Sequence, residues 1–560
     1  MSDRMYPIPF EALLNWILGE YRAEGSIFGI KKFWRAPEGA GQPFMGCSIE
    51  SAVGPAAGPH TQMAQNIVTA YLCGARVFEL ETVQVIDGED LRVSKPCILA
   101  EDEGYNCEWS TELTVAQARD EYVKAWVLLH VLAKELGLGR ADGFAFCMSV
   151  GYDLAGIQSP KIDGFLDDMQ DASQTDIFRH CLAVLERRLG DFQRFTADDL
   201  AAVSPAICNN VTISTMHGCP AADIEKIVYH LMENKRLNLL LKCNPTLVGF
   251  DVARRVLEKL DYNYLHFERD AFDNDLQYAD AVPMLRRIRK KAGELGLFFG
   301  VKLTNTFAVK ARHGELPDED IYMSGRALLP LSLRVAARLR MDFDFALPIS
   351  YCGGANAKNI VVLRGMGLFP ITVCTELLKP GGYGKLEAMA SALEAANAAK
   401  TVGKHVVLDN LIQSLSTPAR KIPTPHRALL KAALLRKVTG CKACGICASV
   451  CPNRANVVLD VDGSHQLLHM DSLCNECGNC ASFCPEKQAP YLQKLTLFTD
   501  RAALENSQNT GFTFLPESGR FLLRWDGAVR EVDPEDEGFP PEIGRIMIAV
   551  RDRYPWLLYR

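Results

Sequence analysis

Two cysteine runs near the end of the chain constrain its fold more than any other feature. They read CKACGICASVCP from Cys441 and CNECGNCASFCP from Cys474, and 22 residues separate Cys451 from Cys474. The pattern C-x2-C-x2-C-x3-C-P therefore occurs twice. Thiolates at this spacing supply three ligands to one iron–sulfur cube, and the fourth Cys reaches the neighbouring cube. The spacing predicts two [4Fe–4S] clusters, one held by Cys441, Cys444, Cys447 and Cys484 and the other by Cys474, Cys477, Cys480 and Cys451.

Zinc is the alternative ligand, because paired C-x2-C motifs also bind that ion. Zinc accounts neither for the third Cys at the same step nor for the Pro after each fourth Cys. The runs resemble bacterial two-cluster ferredoxins, and the resemblance implies a small α+β domain over residues 437–490 that carries electrons. Gly445 and Gly478 are expected where the backbone turns toward cluster sulfurs.

The composition narrows the function classes. At 560 residues the chain is expected to form two or three domains. A formal net charge of −7 gives no basic footprint for nucleic acid. We see no apolar run of the roughly 20 residues that a membrane span needs, and the start lacks the layout of a signal peptide. With 19 Cys and no such signal, a reducing cytoplasm is favoured.

Short apolar runs alternate with amphipathic segments over residues 46–384, which predicts parallel strands joined by crossover helices. This length and strand number favour a (β/α)8 barrel over an open sheet. Nine strand candidates compete for eight places, and either 263–267 or 297–303 is expected outside the barrel. The candidates are 48–54, 76–86, 143–150, 210–215, 238–243, 263–267, 297–303, 346–351 and 369–374.

Three further segments flank these two domains. Residues 1–45 are predicted to form an N-terminal arm with a helix over 11–22. Residues 385–436 form a helical connector whose last part is basic, either as a solvated face or as a dock for an acidic redox partner. Residues 491–560 are predicted to add short strands and a final helix that pack over the clusters.

Phrases at the predicted strand ends resemble the flavin-dependent dihydroorotate and dihydropyrimidine dehydrogenases. They are VGPAAG (53–58), KCNPT (242–246), TNT (304–306), SGRALLPLSLRV (324–335), GG (353–354) and CTELL (374–378). A closer resemblance is to the YgfK family, whose members carry the name "putative selenate reductase". Its phrases here are YPIPF (6–10), GPAAGPHTQ (54–62), STMHGCP (214–220), MSGRAL (323–328) and LLKPGGY (377–383).

That family normally carries a flavin- and NAD(P)-binding module between barrel and ferredoxin. Here the connector has no G-x-G-x-x-G fingerprint. The resemblance therefore implies a shortened member that exchanges electrons through another polypeptide. The expected partners are an electron-transfer flavoprotein, an NAD(P)H-oxidising subunit or a molybdenum-enzyme subunit.

The resemblance also implies FMN in a barrel of dihydroorotate dehydrogenase type, with a small heterocycle as substrate. Lys242 ends a buried run, so its charge needs an anion or a hydrogen-bonding ring; in the resembling enzymes the matching Lys contacts the flavin, and a Schiff-base role is the alternative. The bare amides of Gly353 and Gly354 suit a phosphate, unless the pair merely turns the chain. The implied FMN contacts are Ala57, Gly58, Thr82, Lys242, Asn305, Thr306, Ser324, Gly325, Gly353, Gly354, Cys374 and Thr375.

Two departures from the dehydrogenases bear on the flavin. Their Lys-Thr pair after the second strand is Glu81-Thr82 here, and the Asn expected after the third strand is Asp153. An anion beside a reduced, anionic flavin should disfavour reduction, or the site binds something else. A flavin-free electron-transfer or scaffold subunit is therefore the alternative to an enzyme.

Cys219 is the candidate proton donor, because the resembling dihydropyrimidine enzymes use a Cys on this loop. MHGCPAADIE places it just before a helix N-terminus, where a thiolate is stabilised, and His217 could tune it. The alternative is a tight turn with a buried Cys. The acidic stretch 101–112 is predicted to be a substrate lid rather than a solvated loop.

Overall fold

The computed structural model describes residues 4–107, 110–214, 218–398, 408–420, 423–425, 428–429 and 441–559. Its strands are β1 (Gln42–Phe44), β2 (Cys47–Ile49), β3 (Val53–Pro55), β4 (Val77–Glu79), β5 (Ile98–Leu99), β6 (Glu103–Asn106), β7 (Ala145–Gly151), β8 (Asn210–Ser214), β9 (Asn238–Cys243), β10 (Phe299–Leu303), β11 (Phe307–Lys310), β12 (Asp320–Gly325), β13 (Ile349–Tyr351), β14 (Ile371–Val373), β15 (Asn456–Val461), β16 (Ser464–Met470), β17 (Leu495–Leu497), β18 (Gly511–Leu515), β19 (Arg520–Trp525) and β20 (Ala528–Val532).

Helices lie between these strands and at both ends of the chain. Thr114 caps the longest of them in a capping box with Gln117, and Gly137 ends it in the left-handed conformation. The α-helices are Phe10–Glu24, Ala64–Leu72, Val115–Leu136, Leu154–Ile157, Pro160–Gln170, Asp176–Arg187, Ala197–Ala201, Ala221–Glu233, Phe250–Lys259, Arg269–Asp273, Tyr278–Leu295, Leu329–Asp342, Ile360–Gly365, Lys385–Ala398, Leu408–Leu415, Ile446–Val450, Asn479–Ser482, Pro490–Gln493, Arg501–Asn506 and Pro541–Asp552.

Eight parallel strands form the predicted barrel, in the order β3-β14-β13-β10-β9-β8-β7-β4. The two ends of this sheet meet where Arg76 N donates to Val53 O at 3.0 Å, next to β4. Of the nine candidates, 297–303 supplies β10 of the barrel. Segment 263–267 lies outside it and contacts β11 through a bridge between His266 and Lys310. The prediction that one of these two segments is external is therefore confirmed.

A second, antiparallel sheet covers the carboxyl ends of the barrel strands. Its order is β11-β12-β6-β5. Strand β6 comes from the acidic stretch 101–112, and β12 pairs with it through Ser324 and Gly104. This cap sheet was not predicted, because its strands are short and its central pair, β6 and β12, is separated by more than 200 residues of sequence.

The C-terminal part is built on a six-stranded sheet in the order β15-β16-β17-β18-β19-β20. Strands β15 and β16 form a hairpin within the spacer between the two cysteine runs. Strand β17 joins β16 in parallel, so one sheet crosses the predicted boundary at residue 490. Helix Phe10–Glu24 of the arm packs beside this part, where Tyr6 N donates to Ser472 O at 2.8 Å. Among the described residues, no helix is both long and apolar enough to cross a membrane.

Candidate active site and cysteine sets

A cavity of about 760 Å³ opens at the carboxyl ends of the barrel strands, beneath the cap sheet. This is the end at which barrel enzymes carry their active sites, and the volume lies within the range typical of cofactor sites. All twelve residues predicted to contact FMN line this cavity: Ala57, Gly58, Thr82, Lys242, Asn305, Thr306, Ser324, Gly325, Gly353, Gly354, Cys374 and Thr375.

The floor of the cavity holds a buried ion pair between Glu79 and Lys302. Lys302 Nζ lies 2.5 Å from Glu79 Oε1 and also donates to Thr372 Oγ1 at 2.5 Å and to Ser350 Oγ at 3.1 Å. The Thr372 hydroxyl lies 3.2 Å from the second carboxylate oxygen of Glu79. Four side chains from β4, β10, β13 and β14 thus satisfy one another across the barrel, as a buried charge pair requires. Sequence analysis missed both charges, although each interrupts an apolar strand.

One level higher, Glu81 and Lys242 face the cavity without such a pair. Glu81 is 5% exposed, and its Oε1 accepts the N–H of Thr82 at 2.9 Å. Burial raises the pKa of Glu81 to about 7, while the Thr82 amide and the charge of Lys242 act in the opposite direction. Within the described part of the chain, the Lys242 ammonium has no hydrogen bond or salt bridge. The cavity therefore holds an acid near its titration point beside an unpaired cation.

The opposite side of the cavity is lined by exposed backbone and hydroxyl groups. Gly353 and Gly354 have φ values of 102° and 79°, and a Cβ on Gly354 would lie 2.9 Å from Arg326 Cα. Only glycine fits this turn without strain. Ser324 Oγ lies 2.8 Å from Thr375 Oγ1 beside them. Backbone amides and hydroxyls in this arrangement can bind a phosphate or another anion.

A chain of hydrogen bonds holds the amide of Asn305 at the cavity wall. Asn305 Nδ2 donates to Asn244 Oδ1 at 2.9 Å, and Asn244 Nδ2 donates to Asp275 Oδ2 at 2.8 Å. Thr246 Oγ1 binds the same carboxylate oxygen at 2.6 Å. Because each amide is oriented by the next group, Asn305 presents its side chain in one orientation.

The described part of the connector crosses the cavity mouth. Arg420 N donates to Asp102 Oδ2 at 3.0 Å, and Arg326 forms an ion pair with the same carboxylate. Arg326 Nη1 also donates to Thr417 Oγ1 at 2.6 Å, while Ala419 N donates to Leu260 O at 2.8 Å. Most of the basic stretch after Arg420 lies outside the described residues, so its predicted docking role stays a prediction.

The acidic stretch is a wall of the cavity rather than a solvated loop. Glu101 and Asp102 line the cavity, and Glu103 is buried and accepts the hydroxyls of Tyr105 and Tyr264 at 2.7 and 2.6 Å. Glu108 and Trp109 lie outside the described residues. The remaining carboxylate, Glu112, forms a salt bridge of 2.5 Å with Lys95.

Two predicted residues lie away from the cavity lining. Cys219 is not among the lining residues, and burial together with the charges of Asp223, Asp275 and Asp153 raises the pKa of its thiol. The expected thiolate stabilisation by the helix N-terminus is therefore outweighed here. His217 lies outside the described residues. Asp153 caps a short helix by accepting Gly156 N at 2.8 Å, so it is not a cavity contact either.

The two cysteine runs fold as a structural repeat. Positions 33 residues apart share a positive φ: 47° at Ala443 and 51° at Glu476, then 73° at Gly445 and 80° at Gly478. In each run an amide binds the first sulfur at 3.3 Å, from Ala443 to Cys441 and from Glu476 to Cys474. Equal spacing in sequence thus produces equal loops in space.

Thiols of the two runs lie close enough to raise one another's pKa. After burial, the charges that most raise the pKa of Cys474 are those of Cys451, Cys477 and Cys480. The pKa of Cys447 is raised to about 12, mainly by burial; the charges of Cys441, Cys451 and Cys484 add to this rise, and the charge of Lys494 opposes it. We call Cys474, Cys477, Cys480 and Cys451 the inner set, and Cys441, Cys444, Cys447 and Cys484 the outer set.

The two sets differ in burial. All four sulfur-bearing residues of the inner set are buried, whereas Cys441 and Cys444 of the outer set are exposed. The inner set also adjoins the cavity wall. Ile98 lines the cavity, and its backbone N–H donates to Cys477 O at 2.9 Å. Beside this contact Asn475 Nδ2 binds Glu112 Oε1 at 2.5 Å.

Comparison with known proteins accounts for the barrel. Residues 28–422 match the model of the family described as "Oxidoreductase YgfK, N-terminal TIM-barrel domain". Over 412 residues the chain is 45% identical to the "Putative oxidoreductase YgfK" of Escherichia coli (strain K12) and to its counterpart in Escherichia coli O157:H7. The chain belongs to the YgfK oxidoreductase family. The match covers 71% of the chain but only 40% of these relatives' length.

The matched YgfK region contains the whole barrel and its cavity but ends before the cysteine runs. The name "selenate reductase" receives no support from these matches, and the ferredoxin resemblance stays a prediction. Within the YgfK barrel, the residues that sequence analysis missed are Glu79, Lys302 and Ile98. A charge inside an apolar strand could have indicated the first two.

Proposed function

We propose that this chain is an iron–sulfur flavoprotein oxidoreductase subunit. It passes electrons between a small heterocycle bound in the barrel cavity and an outside carrier. The observation that carries the proposal is the shared wall: Ile98 lines the cavity, and its N–H binds the carbonyl of Cys477 at 2.9 Å. A redox site and its electron outlet are expected to adjoin in this way.

The thiols fit two [4Fe–4S] clusters. Buried thiols that raise one another's pKa are costly as thiolates unless a metal supplies positive charge. The inner set would hold one cluster and the outer set the other, and bound clusters supply one-electron transfer.

The cavity residues fit FMN. Gly353, Gly354 and Thr375 would receive the phosphate, while Lys242 and Asn305 would face the ring. Bound FMN supplies hydride chemistry together with one-electron exchange. In this arrangement Lys242 stabilises negative charge on its neighbour, and the chain Asn305–Asn244–Asp275 orients the amide. The cap sheet limits access of water to the cavity.

The difference in burial indicates which cysteine set would exchange electrons with the outside carrier. The inner set adjoins the cavity, and the outer set presents Cys441 and Cys444 at the surface. Electrons therefore enter or leave the chain at the outer set. The external carrier would be a flavoprotein, an NAD(P)H-oxidising subunit or a molybdenum-enzyme subunit.

Anaerobic purification tests the cofactor content. We expect about eight iron atoms and a similar amount of sulfide per chain, with about one FMN after incubation with the cofactor. Cys477→Ser should remove the inner cluster, and Cys444→Ser should alter the outer one. Cys47→Ser changes an exposed cysteine outside both runs and should leave the iron content unchanged. Iron at wild-type level in both run variants would refute the cluster assignment.

A flavin-free electron-transfer or scaffold subunit is the second candidate, and Glu81 favours it. The two candidates predict different flavin contents for the iron-loaded protein. Full iron content with no bound flavin, even after incubation with FMN, would establish the scaffold and overturn the enzyme. Flavin bound at about one per chain and reduced through the clusters would overturn the scaffold.

A further inference from the structure

Glu81 has the surroundings of a carboxylic acid at a ligand site rather than of a structural ion-pair partner. Its side chain is 5% exposed and lines the cavity. Two residues earlier on the same extended segment, Glu79 is equally buried but bonded to Lys302 at 2.5 Å. The same fold therefore provides a neutralising cation for one glutamate and not for the next.

The groups around Glu81 leave one side open to the cavity. Its backbone N–H donates to Thr61 O, and its carbonyl accepts the hydroxyl of Tyr122 at 2.9 Å, so the main chain is fixed. Its Oε1 accepts Thr82 N at 2.9 Å. No hydrogen bond to its Oε2 occurs among the described residues, and the side chain borders the cavity.

Several titratable groups on neighbouring elements surround Glu81. Lys242 on β9 attracts its anion, whereas Glu112, beyond β6, repels it. Tyr122 lies against it from helix Val115–Leu136. The Glu79–Lys302 pair below is internally neutral. Burial outweighs the attraction, so the acid form is favoured up to about neutral pH.

We propose that Glu81, as a neutral acid, donates a hydrogen bond to an acceptor atom of the ring bound in the cavity, beside the cation of Lys242. A carboxylic acid kept neutral in an apolar site can serve as such a donor at neutral pH. The pair then selects planar heterocycles that carry carbonyl or imine-type acceptors at one edge. Glu81 is thus a specificity-determining residue, and its presence is compatible with a flavin.

This inference rests on the proposed function, because the probe is the flavin ring. The test measures FMN affinity of the anaerobic full-length protein by flavin fluorescence at pH 6 and pH 8.5. Riboflavin, which has no phosphate, repeats the measurement without phosphate ionisation. Because Glu81 titrates near pH 7, we expect wild-type affinity to fall roughly 30-fold between the two pH values.

Two variants and one control make the result decisive. Glu81→Gln keeps an N–H donor and should bind at both pH values within a few fold of the wild type at pH 6. Glu81→Leu removes the donor and should bind weakly at both. Glu101→Gln removes another carboxylate from the cavity lining and should keep the wild-type pH dependence.

The possible outcomes distinguish the role of Glu81 from the assignment of flavin to the cavity. Equal wild-type affinity at both pH values, or equal binding by the Gln and Leu variants, overturns the role of Glu81 while the flavin assignment stands. If no variant binds FMN or riboflavin at either pH, the flavin assignment falls and this role falls with it.

Discussion

Ionisable side chains at two levels of the same barrel differ in whether they are paired. On the floor, Glu79 and Lys302 bond to each other and to two hydroxyls, and both side chains are at least 95% buried. One level above, Glu81 and Lys242 share the cavity without a direct bond. Paired charges hold the fold together, whereas charges left without a partner are free to bind a ligand. The contrast distinguishes a structural ion pair from groups that line the cavity and are available to a ligand.

The largest expected effect on the free energy of unfolding comes from disrupting the buried ion pair between Glu79 and Lys302. Lys302→Met leaves Glu79 charged and buried without its cation, which should lower the free energy of unfolding by about 3–5 kcal/mol. Urea unfolding followed by tryptophan fluorescence measures this loss. The double variant Glu79→Leu with Lys302→Met removes both charges and should recover most of it, since the two effects are strongly coupled. Additive losses in the double variant would show that the floor is not a coupled pair.

A smaller effect, with a defined pH dependence, is expected at the upper level. The pKa of Glu81 is about 7 in the folded chain against 4.5 ordinarily, so the folded state binds its proton more tightly. This stabilisation is complete below about pH 4.5 and is lost as the pH rises through 7. Between pH 5.5 and pH 8 the wild type should lose about 2 kcal/mol relative to Glu81→Gln.

Paired urea titrations across this pH range test that dependence. Glu101→Gln serves as the control, because it removes another carboxylate that lines the same cavity. The control should follow the wild type. Identical pH profiles for the wild type and Glu81→Gln would mean that Glu81 is ionised throughout this pH range.

The sequence predicts those parts of the molecule that local spacing determines. Cys441 and Cys474 begin runs whose loops repeat with nearly the same φ values, and the barrel strands follow from alternating apolar runs. The cap sheet could not be predicted, because β6 and β12 are joined by pairing over more than 200 residues. The contact of Ile98 with Cys477 is likewise a product of tertiary packing.

The candidate site shows the same division. Motif resemblance selected twelve residues that line one cavity; Cys219 is not among the lining residues, and its role as proton donor stays a prediction. It also treated Glu81 as an anion, because a sequence shows the residue type and not its burial. Desolvation, which only the folded chain creates, raises the pKa of that side chain to about 7 and favours its neutral acid form below that pH.

The smallest expected effect on stability distinguishes Lys242 from Lys302. Lys242 is only partly buried and has no salt bridge among the described residues, so Lys242→Met should change the free energy of unfolding by less than about 1 kcal/mol. The same variant should weaken FMN binding by roughly 10- to 100-fold, because it removes a charged hydrogen-bond donor. Fluorescence titration with FMN and urea unfolding on one preparation give both values. A large loss of stability with unchanged FMN affinity would place Lys242 with the structural floor and erase the contrast between the two levels.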